Sequence, residues 1–456
     1  MNLKVIILAA GKGTRMKSEK PKVLFDVAGK PMIDYVIDAS NKLNPDEIIV
    51  VVGNKSELVT EHLGGKNVSF VHQTEQKGTG HAVMCASQSL KGFNGKVLIL
   101  CGDMPLIRHE TLAKFIEFAK KSKLSFISVK VRKPEGYGRV VRGADKAVLK
   151  IVEEKDANEA EKKINEINTG IYLADSDILL ERLDKIDNKN AQGEYYLTDI
   201  VNEGADVFLA EDEKEFIGIN DKFQLSVASK EVWERRAIWH MKNGVEILDF
   251  ENCYIDEDVE IGPDTVIYPN VYISGSTKIG KMCKIYAGCR IVDSIVEDEV
   301  ELKDNSYITE SFVGAKSSVG PMAQLRPGTK LLGENKIGNF VETKKALIGK
   351  GSKASHLTYL GDCEIGENVN VGCGTITCNY DGISKHKTII GDNVFVGSDV
   401  QFVAPVKIGS NSLIGAGSTI TKDVPDGALA VTRAEQKNIE GWVKRWKEKK
   451  MKFRGE

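Results

Sequence analysis

No stretch of this 456-residue chain approaches the roughly 18 consecutive apolar residues that a membrane-spanning helix needs. The N-terminus offers one lysine and a six-residue apolar run without a cleavage-like site, which argues against a secretory signal. Excess charge of one sign is also missing. Lys and Arg number 63 against 65 Asp and Glu, so there is no electrostatic case for nucleic acid or a membrane as the main partner. The eight cysteines include no Cys-x-x-Cys pair, and they read as reduced, mostly buried thiols of a cytoplasmic protein rather than zinc ligands or a disulfide framework. Histidine is scarce: after Gly244 there are only His356 and His386. A hexapeptide-helix metal centre of three imidazoles therefore cannot be built within that half. The length suffices for two or more domains, each with its own core.

The first half carries strands and helices in alternation. Val5–Ala10 is a short apolar run that reads as a buried parallel strand, followed by Gly11-Lys12-Gly13-Thr14-Arg15-Met16 and then Pro21-Lys22. Glycines in that loop let backbone N–H groups approach an anion, and Arg15 and Lys22 add two positive charges suited to a triphosphate. The string is neither a Walker A loop nor a dinucleotide fingerprint, whose third glycine is replaced by Met16. Runs at Ile48–Val52, Ser69–His72, Val97–Cys101 and Ser125–Val131 predict further strands, and Met32–Leu43, Ala82–Leu90 and Thr111–Lys121 predict helices. The alternation predicts a doubly wound parallel sheet with ligands at the carboxyl ends of its strands. Asp103 follows one such strand and reads either as a metal ligand or as the N-cap of the helix after Pro105.

The second half has a period of six. Ile255, Ile261, Ile267, Ile273, Ile279, Ile285 and Ile291 are evenly spaced, and the pattern resumes at Val313 and again at Ile390. No helix keeps every sixth residue on one face. A triangular coil of about 18 residues does, with short strands and tight turns, and stacked coils make a parallel β-helix. Glycine often follows the aliphatic residue, as at Gly262, Gly338 and Gly415, where it is expected to permit the turn. Cys283 and Cys289 share one offset in this repeat and read as structural. Phe223–Lys242 has the spacing of a connecting helix. The basic segment Trp442–Arg454 reads as a solvated terminal helix with one anchored face, or as a contact with a neighbouring subunit near a coenzyme phosphate.

Further strings sharpen the reading: Gly78-Thr79-Gly80-His81-Ala82, Gly102-Asp103, Gly136-Tyr137-Gly138-Arg139, Glu166–Gly170, Gln192–Tyr196, Leu325-Arg326-Pro327-Gly328, His356–Asp362 and Gly374–Gly382. Over essentially the whole chain they resemble the bacterial bifunctional N-acetylglucosamine-1-phosphate uridylyltransferase / glucosamine-1-phosphate N-acetyltransferase family. The resemblance implies a Rossmann-like α/β nucleotidyltransferase domain over 1–222, a helical linker over 223–243 and a left-handed β-helix acetyltransferase over 244–456. It also implies a homotrimer, and a product that feeds peptidoglycan and lipopolysaccharide precursors. UTP would contact Leu8, Ala9, Ala10, Gly11, Gln73, Gly78 and Thr79, with Arg15 and Lys22 catalytic at its phosphates. Gly138, Glu153 and Asn168 match amino-sugar and ribose contacts, and Asp103 and Asn220 would hold Mg2+. In the second half His356 matches the base that deprotonates the amine. Arg326, Lys344, Tyr359 and Asn370 match positions for glucosamine 1-phosphate, and Cys373, Asn379, Tyr380, Ser398, Ala416 and Arg433 match acetyl-CoA contacts. His81 is expected to be a packed histidine at a helix start. Two other readings stay open: a monofunctional nucleotidyltransferase with a structural β-helix, and a non-catalytic scaffold.

Overall fold

The computed structural model describes residues 2–53, 55–201 and 204–453; Arg454, at the edge of the basic tail, lies outside them. The chain divides into two compact units, one of Met1–Ala237 with Tyr254–Glu257, the other of Ile238–Cys253 with Asp258–Glu456. The division falls inside one helix, Lys222–Lys242.

The first unit is built on a mixed sheet. Leu3–Ala9 pairs in parallel with both Glu47–Val52 and Lys96–Cys101, and Ser69–His72 extends the sheet at one edge. Val5 and Ile7 face one buried core and Ile6 the other, so both faces of the central strand are covered. Helices Met32–Asn41 and His109–Phe118 pack on the first face, Thr79–Cys85 and Ser176–Leu183 on the second. The alternation predicted a doubly wound parallel sheet, and the observed sheet departs from it in one interior strand. Glu166–Asp175 runs antiparallel to Lys96–Cys101 and to Leu124–Lys130. It enters from an antiparallel hairpin, Arg139–Arg142 with Val148–Val152, rather than from a helical crossover, and so arrives in the opposite direction.

The second unit is a parallel β-helix. Ile261 pairs with Ile279, Ile267 with Ile285 and Ile273 with Ile291, each one coil of eighteen residues apart. The helix does not stop where the exact hexads stop. Val296, Leu302 and Ile308 continue the core, because one five-residue side shortens these coils to seventeen, as in Ile279 with Val296. The glycine expectation needs correction. Gly262, Gly338 and Gly415 do not have positive φ. A Cβ on Gly262 would stand 2.7 Å from the Gly280 carbonyl carbon, and one on Gly338 would stand 1.8 Å from the Ser355 oxygen. These glycines allow the next coil to approach. The left-handed turn positions are filled largely by other residues, among them Asp264, Asn270, Asn305, Asn368 and Asn411.

Candidate functional site

In the first unit the loop after Leu3–Ala9 and the loop after Lys96–Cys101 meet at the carboxyl ends of adjacent strands. Between them opens a cavity of about 420 Å³, lined by Leu8, Ala9, Ala10, Gly11, Lys22, Gln73, Gly78, Thr79 and Asp103, together with Lys12, Gln76, Cys101 and Glu194. Gly13 has φ +59°, and a Cβ there would lie 2.8 Å from the Lys22 Cβ, so this glycine makes room for the lysine. Gly11 has nothing within 4 Å of such a Cβ, which leaves its backbone open to a ligand.

The Lys22 ammonium contacts the Asp103 carboxylate and lies 3.3 Å from Asn220 Oδ1, which also accepts from Arg15 Nη2 at 2.8 Å. Asn220 is held in place by its own N–H, which donates to Gln224 Oε1 at 2.7 Å. Asp103 is not a helix cap, since the following helix has Arg108 as N-cap and no side-chain cap. Its backbone oxygen accepts instead from Ile219 N–H at 3.0 Å, tying the Asp103 loop to the Asn220 loop. Two oxygens, from Asp103 and Asn220, thus converge on a single cation, here the Lys22 ammonium. One carboxylate and one amide carbonyl, completed by phosphate oxygens, are the donor set that Mg2+ accepts. Among the described residues no cluster of three or more His, Cys, Asp or Glu offers a metal site independent of such a ligand.

Gly138, Glu153 and Asn168 come together outside this lining. Asn168 N–H donates to the Gly138 oxygen at 2.9 Å, and a Cβ on Gly138 would lie 3.5 Å from Glu153 Oε1. Burial pushes the Glu153 carboxyl above its usual range, the Thr198 hydroxyl opposes this, and Asp199, Asp156 and Glu194 add to it. His81 is packed as expected, with its ring centroid 6.3 Å from that of Tyr195 and Nδ1 3.0 Å from Gln73 Nε2.

In the second unit the expected residues fall into rows along the coils. Two residues after the stacked core positions Ile337, Ala354, Val371, Val396 and Ile414 stand Asn339, His356, Cys373, Ser398 and Ala416. Asp399 N–H donates to the Cys373 oxygen at 2.7 Å and Gly417 N–H to the Ser398 oxygen at 2.9 Å, locking the row. Arg433 Nη1 donates to the Ala416 oxygen at 3.2 Å. His356 Nδ1 lies 2.8 Å from Asn339 Oδ1. A carbonyl oxygen only accepts, so Nδ1 carries the hydrogen and Nε2 keeps the lone pair that a base needs. His386 is differently placed: Nε2 lies 2.7 Å from Asp381 Oδ2, pinning a loop. The Ser384 backbone N–H, then the His386 ring and the Ile383 backbone N–H, hold the Asp381 carboxyl well below the usual range.

A second row carries the cations. Arg326 stands one coil before Lys344, and Lys344 is in register with Gly361. Tyr359 lies over Gly361, where a Cβ would meet its hydroxyl at 2.4 Å. The nearby Lys385 ammonium lowers the Lys344 pKa; desolvation and Arg326 act the same way, and Asp362 opposes. Three cations sharing one place favour an anion among them. Arg326 Nη1 is also held by Glu342 Oε1 at 2.7 Å. Asn379 Nδ2 donates to Asp362 Oδ2, and the Tyr380 hydroxyl donates to the Gly382 oxygen at 2.6 Å. Asn370 stands in register with Lys353 and Phe395, on a different row from Arg326 and Lys344.

Sequence reasoning missed Asn339, Glu342 and Lys385. Asn339 was accessible from the coil length, since it precedes His356 by one coil. Lys385 lies where the repeat is broken and gives no periodic signal.

Comparison with known proteins agrees with this two-part construction. Residues 4–217 match the nucleotidyl transferase family, 250–389 the GMPPB C-terminal domain, and 387–422 the bacterial transferase hexapeptide (six repeats). The chain is 50% identical to the bifunctional protein GlmU of Pelobacter propionicus, covering 98% of this chain and 99% of that one. It is 52% identical to the protein of that name from Syntrophotalea carbinolica, over 96% of each chain. The GlmU of Clostridium botulinum is 48% identical over 96% of this chain and 97% of its own.

Proposed function

The chain belongs to the bifunctional GlmU family, and from that premise we propose that it performs two consecutive transfers. Glucosamine 1-phosphate takes an acetyl group from acetyl-CoA to give N-acetylglucosamine 1-phosphate. That product attacks the α-phosphorus of UTP to give UDP-N-acetylglucosamine and pyrophosphate. We assign acetyl transfer to 244–456 and uridylyl transfer to 1–222, with 223–243 as connector. No helix among the described residues is long and apolar enough to cross a membrane, and a cytoplasmic location belongs to the same reading.

The observation that carries the bifunctional reading is His356, with Nδ1 held by Asn339 and a bare Nε2, in the same unit as the Arg326–Lys344 row. A β-helix serving only as a scaffold has no use for a row of cations beside a histidine base, whereas a sugar phosphate would be gripped by Arg326 and Lys344. His356 removes the ammonium proton, freeing the amine lone pair for the thioester carbonyl, and CoA leaves as the thiol. The row Cys373, Ser398, Ala416 with Arg433 is suited to lie along the coenzyme.

In the first unit both partners are anions, and charge must be neutralised before they meet. Arg15 and Lys22 do this for the UTP phosphates. Mg2+ held by Asp103 and Asn220 would supply further Lewis-acid neutralisation. The Lys22 ammonium, here against Asp103, would then serve the phosphates. Gln73, Gly78 and Thr79 serve the base, and Gly138, Glu153 and Asn168 the sugar.

A homotrimer with acetyl-transfer sites at subunit borders is supported by a stack of exposed apolar turns. Met322, Phe340 and Leu357, on successive coils, are 50%, 56% and 63% exposed beside the Asn339–His356 row. All three have positive φ, a conformation bulky residues seldom adopt. The test is an assay of the purified chain with glucosamine 1-phosphate, acetyl-CoA, UTP and Mg2+, following thiol and pyrophosphate release separately. Thiol release without pyrophosphate, or the reverse, would reduce the protein to one activity.

A further inference from the structure

We infer that His81 sets which nucleobase edge the first cavity accepts, by holding the Gln73 carboxamide with its oxygen toward the ligand. The inference rests on the assignment of that cavity to UTP and goes beyond it in naming the residue that sets base selectivity.

Gln73 is 4% exposed, its N–H donates to the Val52 oxygen at 2.8 Å, and its side chain lines the cavity. Nε2 lies 3.1 Å from the Gly78 carbonyl oxygen. A carbonyl has no hydrogen to give, so the atom facing it is the amide nitrogen, and the carboxamide has one orientation. The same nitrogen lies 3.0 Å from His81 Nδ1. An amide nitrogen brings two hydrogens and accepts none. His81 Nδ1 is therefore the acceptor, and the imidazole hydrogen sits on Nε2, on the side of Cys85 Sγ at 4.0 Å. Both amide hydrogens are then committed, and Gln73 has only Oε1 left to offer.

An exposed acceptor distinguishes pyrimidines. Uracil has a hydrogen on N3 and donates to Oε1. Cytosine has a lone pair on N3, and the two acceptors repel. Turning the carboxamide over to suit cytosine would set Oε1 against the Gly78 oxygen, and would also require His81 to move its hydrogen from Nε2 to Nδ1. His81 thus adds a second penalty against the cytosine-reading rotamer, and acts as a positioning residue without touching the substrate. Its own place is fixed by the short helix Thr79–Cys85, whose start is pinned where Gly80 N–H donates to the Tyr195 oxygen at 2.8 Å.

The experiment compares kcat/KM for UTP and for CTP with N-acetylglucosamine 1-phosphate as acceptor, in the wild type, His81→Phe, His81→Ala and His81→Asn. Phe and Ala remove the acceptor, whereas Asn restores one through Oδ1. The UTP-over-CTP ratio should fall about tenfold in Phe and Ala, the worth of roughly one buried hydrogen bond. The change should appear mainly as a higher KM for UTP, and Asn should return the ratio to within about threefold of wild type. A wild-type ratio in Phe or Ala, or equal ratios in Asn and Phe, would overturn the inference and leave the UTP assignment standing. A wild type that does not turn over UTP at all would remove the assignment itself.

Discussion

The two glycines of the first loop should separate fold from ligand binding. Gly13→Ala places a side chain at φ +59° with its Cβ 2.8 Å from the Lys22 Cβ. The left-handed conformation costs about 1–2 kcal/mol for a non-glycine residue. Carbon atoms pack at about 3.5–4.0 Å, so the Lys22 backbone must retreat by about 1 Å. Lys22 reaches Asp103 and Asn220 only from its present position, and a displacement of that size costs about 10²-fold in rate. For a unit of this length each kcal/mol lowers Tm by about 2–4 °C, so Gly13→Ala should melt about 2–8 °C lower. Gly11→Ala meets nothing within 4 Å. Its Tm should stay within about 1 °C of wild type. The new methyl group faces the cavity, however, and KM for UTP should rise about tenfold or more. Pyrophosphate release at varied UTP, with calorimetric melts of each variant, gives both readings. Normal uridylyl transfer by Gly13→Ala, or an unchanged KM in Gly11→Ala, would refute the division of roles.

His356→Ala should lose about 10²–10⁴-fold in acetyl transfer, measured as thiol release, while uridylyl transfer is unchanged. Lys385→Ala should raise KM for glucosamine 1-phosphate and leave KM for acetyl-CoA near wild type, a split visible in initial rates. Asp103→Asn should lower pyrophosphate release about 10²-fold and shift its Mg2+ dependence to higher concentration; an unaltered Mg2+ curve would remove Asp103 from the metal. Burial raises the Glu153 pKa above its usual 4.5, so the folded chain holds this proton to higher pH than the unfolded chain does. Stability contributed at Glu153 therefore falls as pH rises from about 4.5 through the raised value. Glu153→Gln should raise the Tm of the first unit at pH 7 and leave it unchanged near pH 4, which melts at the two pH values will show.

What the sequence made legible was periodic or chemically repetitive. The isoleucine series predicted the β-helix because each coil must place an aliphatic residue in one dry core. The apolar runs predicted the central strands because both sheet faces are covered. The antiparallel strand Glu166–Asp175 was not read, since an interior strand looks alike in either direction. The role of Gly338 was misread for a related reason: sequence shows that a Cβ is absent, but not whether conformation or a neighbouring carbonyl requires the absence. In the site, single residues inside long motifs were legible, and partners across coils were not. Asn339 and Glu342 are ordinary polar residues until the register brings Asn339 to His356 and Glu342 to Arg326.

The deviations of the repeat coincide with the proposed acetyl-transfer residues. Core positions are spaced by seventeen or eighteen residues through most of the helix, but Ile365 pairs with Ile390, twenty-five positions on. The extra residues leave the coil as a loop bearing Asn379, Tyr380, Lys385 and His386, pinned by the His386–Asp381 pair and by the Tyr380–Lys385 bridge. The two 13-residue strands Lys336–Ile348 and Lys353–Ile365 lie just before it and carry Asn339, Glu342, Lys344, His356 and Tyr359. A solenoid of identical coils can present only one residue type per row, because each row sees the same neighbours above and below. An inserted loop breaks that equivalence at one level. It places an ammonium where no coil position would put one, beside Lys344. In the proposed acetyl transfer the regular coils would supply a rigid row for a long ligand, and the looped coil the charge that fixes where along that row the reaction occurs.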